Sequence, residues 1–322
     1  MSIAVSAALA AAVTMAAAQH AEAQSFPAVV PLSSLDGSNG FKLTGEAELR
    51  ESGRSVNIIG DVNGDGIDDV IVGTPASEIG SSIYGGRSHV VFGQSTAEGP
   101  FPAILAVVDL DGSNGFRLDG DAEEFEHTGW AVSGAGDLND DGIDDLVIGA
   151  PQSRASGISS GSSYVVFGRD PTTQGGFPAT VVLAELDGSD GLRIDGAGSY
   201  SSFGTSVSGA GDVNHDGIDD LIIGDRRASP NGISSGAAYV IFGRDVSVAG
   251  DFPATLSATD LDGTNGFRLE GVDMLDYSGN AVAAGGDING DGIDDVLVGA
   301  YPADPNGASY SGSAFVVFGR NT

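Results

Sequence analysis

An all-β propeller of four four-stranded blades is the fold that this sequence predicts, on three observations. A glycine-rich turn, Leu35-Asp-Gly-Ser-Asn-Gly-Phe41, recurs to give four copies at a spacing of about 75 residues. An aspartate-rich loop recurs on the same spacing, and strand-like runs flank each copy of it. The 51 glycines and 12 prolines among 322 residues favour short strands and tight turns over long helices.

Each repeat contains four predicted strands. An alternating run such as Ser55 to Ile58 precedes the aspartate-rich loop, and an apolar run such as Val70 to Val72 follows it. A third strand is predicted at Tyr164 to Phe167 and its counterparts. A Phe-Pro-Ala segment then leads through the glycine-rich turn into a fourth strand, as at Phe116 to Leu118. Because these runs are apolar on both faces, we expect each sheet to pack between two neighbours, as the blades of a propeller do.

The order of strands at the two ends of the sequence suggests how the ring would close. The first predicted strand, Phe41 to Leu43, is a fourth strand, and the last, Phe315 to Phe318, is a third strand. If Phe41 to Leu43 completes the last blade, the ring has no open edge. Closure by a single chain, pairing with another copy, and a fragment of a larger ring all remain compatible with four repeats.

The aspartate-rich loop has the spacing of a calcium site. Oxygen-bearing side chains occupy loop positions 1, 3, 5 and 9, and the main-chain carbonyl at position 7 can turn inward. Such a set of hard oxygens suits Ca²⁺, and the glycine at position 6 permits the sharp turn around it. The loops span 61–69, 137–145, 212–220 and 287–295. The predicted ligands, for about four calcium ions per chain, are Asp61, Asn63, Asp65, Ile67, Asp69, Asp137, Asn139, Asp141, Ile143, Asp145, Asp212, Asn214, Asp216, Ile218, Asp220, Asp287, Asn289, Asp291, Ile293 and Asp295.

Two other structures share part of this loop pattern. An EF-hand requires a glutamate at position 12 and flanking helices, whereas position 12 is apolar here and both flanks are strand-like; the residues are Val72, Ile148, Ile223 and Val298. Asp, Asn and Gly are also good turn formers without any metal. Four copies with every ligand position filled favour calcium, which would offset the repulsion among the crowded carboxylates.

Charge and the start of the sequence predict the compartment. The net charge of −32, with Lys42 as the single lysine, argues against nucleic acid and against an anionic membrane surface. Residues 1–23 resemble a signal peptide, with an alanine-rich run and an Ala21-Glu22-Ala23 cleavage site, so the mature domain would span 24–322. No later run is long enough to span a membrane. A secreted or cell-surface location, in a bacterium also the periplasm, is expected.

The repeat resembles the FG-GAP repeat of integrin α-chain N-terminal propellers and their bacterial relatives. The resemblance runs from Phe26 to Thr322 and depends on Phe203-Gly204, on the loop Asp212 to Asp220, and on Gly149-Ala150-Pro151 in the neighbouring copy. The Phe-Gly pair is otherwise Ser-Gly or Thr-Gly, and Gly-Ala-Pro occurs once. The resemblance implies an extracellular calcium-binding propeller with a role in adhesion or ligand binding. Integrin-type rings have seven blades, so four repeats leave the closure of this ring open.

A binding module is therefore the expected function, with an extracellular protein or glycan as partner. The variable loops on the rim opposite the calcium loops are the expected binding face, with candidate residues Trp130, Tyr200, Phe203, Arg226, Arg227 and Tyr277. A purely structural surface protein and a calcium-dependent enzyme acting on polysaccharide or phosphoester are the alternatives. An enzyme is not expected, because neither His89 nor His127 has a carboxylate or nucleophile partner at a motif spacing, and a homo-oligomer is compatible with the repeat number.

Overall fold

The computed structural model describes residues 27–121, 125–305 and 310–321. The signal peptide predicted at 1–23 lies outside these residues. Apart from the four-residue helix α1 (Val246–Ala249) and three single-turn 3-10 helices, at Leu32–Ser34, Val107–Asp109 and Leu183–Glu185, the regular structure is β-strand. An all-β fold is therefore confirmed.

Each repeat folds into an antiparallel sheet in which the strands lie in the predicted order. The first blade contains β2 (Val56–Gly60), β3 (Asp69–Thr74), β4 (Arg87–Val91) and β6 (Gly115–Asp119). The second contains β7 (Ala131–Gly136), β8 (Asp145–Ala150), β9 (Ser162–Val166) and β11 (Gly191–Asp195). The third contains β12 (Phe203–Gly211), β13 (Asp220–Asp225), β14 (Ala237–Ile241) and β16 (Gly266–Glu270), and the fourth contains β17 (Ala281–Gly286), β18 (Asp295–Ala300) and β19 (Ser313–Val317).

The Phe-Pro-Ala segment forms a further strand that the sequence did not indicate. These strands are β5 (Ile104–Ala106), β10 (Thr180–Val182) and β15 (Thr255–Ser257). Each pairs in parallel with the fourth strand of the preceding repeat: β10 with β6, and β15 with β11. β10 and β15 thus each add a fifth strand to the outer edge of the blade before them, which links the first blade to the second and the second to the third.

The N-terminal strand does not close the ring. Strand β1 (Lys42–Thr44) pairs in parallel with β5, with Lys42 opposite Ile104 and Thr44 opposite Ala106. Within the described residues, the last blade consists of β17, β18 and β19, and β1 is not part of it. The expectation that Phe41 to Leu43 completes this blade was therefore wrong. The physical reason is the packing of the blades: among the described residues the buried clusters join the first blade to the second, the second to the third and the third to the fourth, so β1 stays with β5 and does not reach β19.

The core lies between neighbouring blades. Phe116 and Leu118 of the first blade are buried against Leu146, Ile148 and Tyr164 of the second, and similar clusters join the second to the third and the third to the fourth. Close approach of the inner strands requires glycine on the second strand of the first three blades. At Gly73 a Cβ would lie 2.1 Å from the carbonyl oxygen of Gly129 in the next blade, and Gly149 and Gly224 are placed in the same way.

Candidate metal loops and binding face

The aspartate-rich loops connect the first strand of each blade to the second, so all lie at one end of the sheets. In the first loop the Asp65 N–H donates to Asp61 Oδ1 at 3.0 Å and to Asn63 Oδ1 at 2.9 Å. The Gly66 N–H donates to Asp61 Oδ2 at 2.6 Å, and the Ile67 N–H to Asp65 Oδ1 at 2.9 Å. The side-chain oxygens of positions 1, 3 and 5 therefore converge on one short stretch of backbone.

The same bonds recur in the other loops. The N–H of position 5 donates to positions 1 and 3 in each, from Asp141, Asp216 and Asp291. Position 4 is left-handed throughout: Gly64 and Gly290 have φ values of 73° and 77°, and Asp140 and His215 have 56° and 62°. Non-glycine residues rarely adopt this conformation. Its presence at Asp140 and His215 shows that the loop keeps one geometry even where position 4 is not glycine.

The aspartate at position 9 is buried and ties the loop to the third strand. Asp69 is fully buried; its Oδ2 accepts the Val62 N–H at 3.1 Å and its Oδ1 accepts the Gly93 N–H at 2.7 Å. Burial is the main cause that raises the pKa of Asp69 to about 7, and the Asp65 and Asp61 charges add to it, while the two N–H donors oppose it. Asp220 accepts the equivalent N–H groups of Val213 and Gly243, and burial raises its pKa to about 7 as well.

The aspartate at position 8 has a role that the sequence analysis missed. Asp144 Oδ2 accepts the Asp61 N–H of the preceding blade at 2.9 Å. The bond from Asp137 N–H to Asp219 Oδ2 is 3.0 Å, and that from Asp212 N–H to Asp294 Oδ2 is 3.1 Å. Position 8 therefore fastens each loop to the next one around the array. The only signal in the sequence was that Asp recurs there although the calcium pattern does not require it.

The side-chain oxygens of the loops are ligands of the kind that a hard cation such as Ca²⁺ prefers. Positions 1, 3, 5 and 9 provide oxygen atoms only, and a carboxylate oxygen that accepts one N–H keeps a lone pair for a metal. Positions 1, 3, 5 and 9 of every loop belong to the described residues; positions 1, 3 and 5 share one turn, and position 9 is the first residue of the second strand. Across 27–121, 125–305 and 310–321, however, no three Asp, Glu or His side chains stand together as a preformed metal centre. The reason is visible in the first loop, where the position 9 carboxylate is turned toward backbone N–H groups.

On the opposite rim, Trp130 belongs to an aromatic cluster. The Arg54 guanidinium lies 3.6 Å from the centroid of the Trp130 ring, and His127 contacts that ring edge-on at 5.9 Å. His127 stacks on Tyr84 at 5.5 Å, and Tyr84 contacts Phe125 at 5.8 Å. Burial, with a smaller effect from the Arg54 charge, lowers the pKa of His127. Tyr84 and Phe125 remain 39% and 38% exposed, so the cluster presents aromatic surface to solvent.

The remaining candidate ligand residues do not form one site. Phe203 is fully buried and packs against Tyr239 at 5.2 Å, so its assignment to a binding face was wrong: the ring lies between blades. Tyr200 and Arg227 line a polar pocket of about 340 Å³ beside Asp225. Burial raises the pKa of Asp225 to about 6 against the opposing hydrogen bond from Ser201.

Arg226 and Tyr277 lie apart from both features. Arg226 is half-buried and does not line the pocket that contains Arg227. Tyr277 stacks against Tyr301 at 6.4 Å in the fourth blade. The sequence candidates are thus distributed over three blades.

His89 has a carboxylate partner that its sequence spacing did not reveal. Its Nε2 lies 3.1 Å from Glu46 Oε1, and Arg87 contacts the other oxygen of Glu46 at 2.6 Å. The His89 hydrogen bond is the largest cause, ahead of the Arg87 charge, of the lowering of the Glu46 pKa to about 2. His89 is fully buried, so this pair anchors the segment after β1 to β4 and is not open to a substrate.

Comparison with known proteins identifies the repeat. The FG-GAP repeat family matches residues 52–90, 128–166, 203–241 and 278–317. Integrin alpha pat-2 of Caenorhabditis briggsae is 29% identical over 252 residues, 75% of this chain and 17% of the relative. Integrin alpha-5 of Xenopus laevis is 27% identical over 253 residues, 76% of this chain and 19% of the relative. Phosphatidylinositol-glycan-specific phospholipase D of Bos taurus is 32% identical over 202 residues, 59% of this chain and 21% of the relative.

The fold and the loops define a repeat protein of propeller-type blades linked through aspartate-rich hairpin loops. The four family matches each run from the first strand of a blade, or the few residues before it, to the third strand. The chain is an integrin-α-like FG-GAP repeat protein. It spans about a fifth of the length of the curated relatives it matches. No helix in the described part is long and apolar enough to cross a membrane.

Proposed function

We propose that this protein is an exported ligand-binding module whose blades are stabilised by calcium. The observation that supports it is the division of features between the two rims. One rim has four loops of nearly identical geometry, which suits a repeated structural role. The other rim has, within the described residues, a single cluster in which a guanidinium lies on an aromatic ring, at the junction of the first two blades. Loops that repeat in every blade favour a structural role, whereas an exposed cluster that lies on variable loops favours binding of a ligand.

Calcium would be held by the oxygens of positions 1, 3, 5 and 9 and the carbonyl of position 7. When bound, it supplies positive charge to carboxylates that lie close together. The convergence of the Asp61 and Asn63 side-chain oxygens on the Asp65 N–H supports this role, because it brings oxygen ligands together where a cation would relieve carboxylate repulsion. Each occupied loop would stabilise the fold by about 2.7 kcal/mol when free calcium is about a hundredfold above its dissociation constant.

The calcium proposal is tested by calorimetric titration of the purified chain and by thermal melting with calcium and with EGTA. We expect about four bound ions and a melting temperature that rises with calcium concentration. Asp137→Ala should remove one site. Asp187→Ala is the matched control, because Asp187, like Asp137, accepts a backbone N–H within its own turn, but that turn, with Ser189 as donor, lies outside the loops. An absence of binding heat and of any calcium-dependent shift would contradict the proposal.

The ligand proposal commits to a glycan or an extracellular protein at the aromatic cluster. Flat aromatic rings with an adjacent guanidinium suit stacking on sugar rings and contacts with hot-spot side chains of a protein. Binding to a glycan array should fall at least about tenfold for Trp130→Ala, which loses more than 1.4 kcal/mol of contact. Loss for Tyr200→Ala alone would move the site to the polar pocket. If neither substitution changes binding, the proposed face is wrong.

We also propose that the chain is not an enzyme. The buried His89–Glu46 pair and the aromatic packing of His127 support this, because neither imidazole is poised to transfer a proton to a substrate. The similarity to a phospholipase D makes phosphodiester cleavage the activity to test. Hydrolysis of a phosphatidylinositol-glycan that depends on His127, measured by loss in His127→Ala, would refute it.

A further inference from the structure

The two end blades each have one uncovered face. In the first blade, Val56 and Ile58 are 64% and 62% exposed, whereas Val132, the counterpart of Val56 in the second blade, is 5% exposed. In the fourth blade, Val316 and Phe318 are 45% and 51% exposed, although their counterparts in the second blade are buried against the third. These two faces correspond to the two sides of the three interfaces that join the blades inside the chain.

Hydrogen-bonding groups at the two faces are complementary. At each internal interface the N–H of loop position 1 donates to the position 8 carboxylate of the following blade. In the described part of the chain, the position 1 N–H of the fourth blade, from Asp287, has no such acceptor. The position 8 carboxylate of the first blade, Asp68, correspondingly has no position 1 N–H donor from a preceding blade among the described residues. Asp68 is exposed, whereas Asp144 and Asp219 are half-buried.

Glycine positions show the same complementarity in shape. Gly60, Gly136 and Gly211 lie against a position 8 aspartate of the next blade, where a Cβ would be 2.1 or 2.2 Å from a carboxylate oxygen. Their counterpart in the fourth blade is Gly286, and no atom lies within 4 Å of the Cβ position there. Gly299 is likewise the uncovered counterpart of Gly149, so the fourth blade has two vacant notches of the shape that the other blades fill.

Side-chain sizes on the inner strands also match across the two faces. Between the first and second blades, Ile59 packs on Gly134, whose Cβ would lie 3.1 Å from the Ile59 Cα. At the corresponding positions of the uncovered faces, the fourth blade has Gly285 and the first blade has Ile58. A large residue again meets a glycine, with the two sides exchanged. Like-sized residues on both faces would instead leave a cavity or a clash.

We propose that a second copy of this chain covers these faces head to tail, with its first blade on the fourth blade of its partner. Strand β1 of one copy then becomes the fourth strand of the three-stranded blade β17-β18-β19 in the other copy. It already has the place of a fourth strand, because β5 pairs with it in parallel as β10 pairs with β6. Each blade end is incomplete without the partner, which makes this an interface continuous with the three that the chain contains.

The register of the shared strand follows from the internal pairs. In the first blade, Arg87 of β4 lies opposite Asp119 of β6, and Ala237 of β14 lies opposite Glu270 of β16. The equivalent pair across the proposed contact is Ser313 of β19 with Thr44 of β1. The contact is heterologous, since different surfaces of the two copies meet, and two such contacts related by a twofold axis close a ring of two chains. The ring would have about eight blades, which is within the range of propellers.

The oligomer is tested by the mass of the purified chain in calcium-containing buffer, by light scattering or sedimentation. The expected mass is twice the chain mass of 32.2 kDa. Ile58→Asp should raise the dissociation constant of the dimer at least about tenfold, because it places a charge in the interface. The variant should therefore be a monomer at concentrations where the wild type is a dimer. Ile233→Asp is the matched control on the opposite rim, where Ile233 is 68% exposed, and it should leave the dimer intact.

Gly299→Ala separates assembly from folding. Within one chain its Cβ would meet only Ala281, at 3.5 Å or more, so the fold should tolerate it. Across the proposed contact the same Cβ would clash with backbone, as at Gly149. We expect a folded monomer, shown by an unchanged circular dichroism spectrum and half the mass.

A cysteine pair tests the register, since the chain has no cysteine of its own. The Thr44→Cys, Ser313→Cys double variant should form a covalent dimer on oxidation, whereas either single variant should not. A monomer at all concentrations, open filaments of increasing mass, or a dimer unaffected by Ile58→Asp and Gly299→Ala would each overturn the proposal.

Discussion

Gly149→Ala probes the close approach of blades on which the architecture depends. Gly149 lies on β8, and a Cβ there would be 2.1 Å from the carbonyl oxygen of Gly204, on the first strand of the next blade. Nonbonded carbon and oxygen atoms need about 3 Å or more, so the two inner strands must separate by about 1 Å. Overpacking of this kind costs about 1–3 kcal/mol.

Replacing glycine by alanine also restricts the unfolded chain, which stabilises by about 0.4–1 kcal/mol. The net expectation is a loss of about 1–2 kcal/mol in the free energy of unfolding. Gly176→Ala is the control, because Gly176 is exposed and no atom lies within 4 Å of its Cβ position. It should show only the small stabilising effect.

Urea unfolding followed by circular dichroism measures both variants. Gly149→Ala should lower the denaturation midpoint with an unchanged slope, since the surface exposed on unfolding stays the same. If Gly149→Ala is as stable as Gly176→Ala, the backbones of neighbouring blades do not approach as closely as the structure shows, and the packing argument fails.

Three further predictions concern buried groups. Phe203→Ala should destabilise by about 3–5 kcal/mol through loss of a buried aromatic ring, whereas Tyr200→Ala, an exposed ring, should be near neutral in the same urea assay. Asp225→Asn should raise the free energy of unfolding at pH 7 by about 2 kcal/mol. Because the pKa of Asp225 is raised to about 6 in the folded protein, wild-type stability falls as the pH rises from 4 through 6. The gain from the substitution should therefore vanish near pH 4. Glu46→Gln should do the opposite: its lowered pKa of about 2 stabilises the wild type above pH 4.5, so the variant should be weaker by about 2 kcal/mol at pH 7, and the difference should shrink as pH falls toward 2. Equal pH profiles for wild type and variant would contradict either of the last two.

Local chemistry was readable in the sequence. The four strands of each repeat, the position of the loops between first and second strands, and the end of the sheets where variable segments lie were all predicted. These follow from alternation, from turn-forming residues and from the repeat period, each of which acts within a few residues along the chain. The convergence of Asp61, Asn63 and Asp65 in the first loop is of the same kind, since all three lie within one turn.

Contacts between repeats were decided by the tertiary structure. Phe203 appears in the sequence as one aromatic residue among variable loops, and only its burial in the cluster that joins the second and third blades shows that it is core. The Glu46–His89 pair joins residues 43 apart, which no motif spacing encodes. The role of Asp144 as an acceptor for the preceding loop likewise depends on a bond to Asp61, 83 residues away in the sequence.

Strand β1 shows which of its properties come from the sequence and which come from the tertiary structure. Its sequence determined that it is a fourth strand, because Phe41 and Leu43 follow the same glycine-rich turn as Phe116 and Leu118. Which blade it belongs to was a matter of tertiary structure, because the parallel pairing with β5 holds it beside the first blade. A strand's own residues determine how it pairs, but the partner is the edge that the rest of the fold brings within hydrogen-bonding distance.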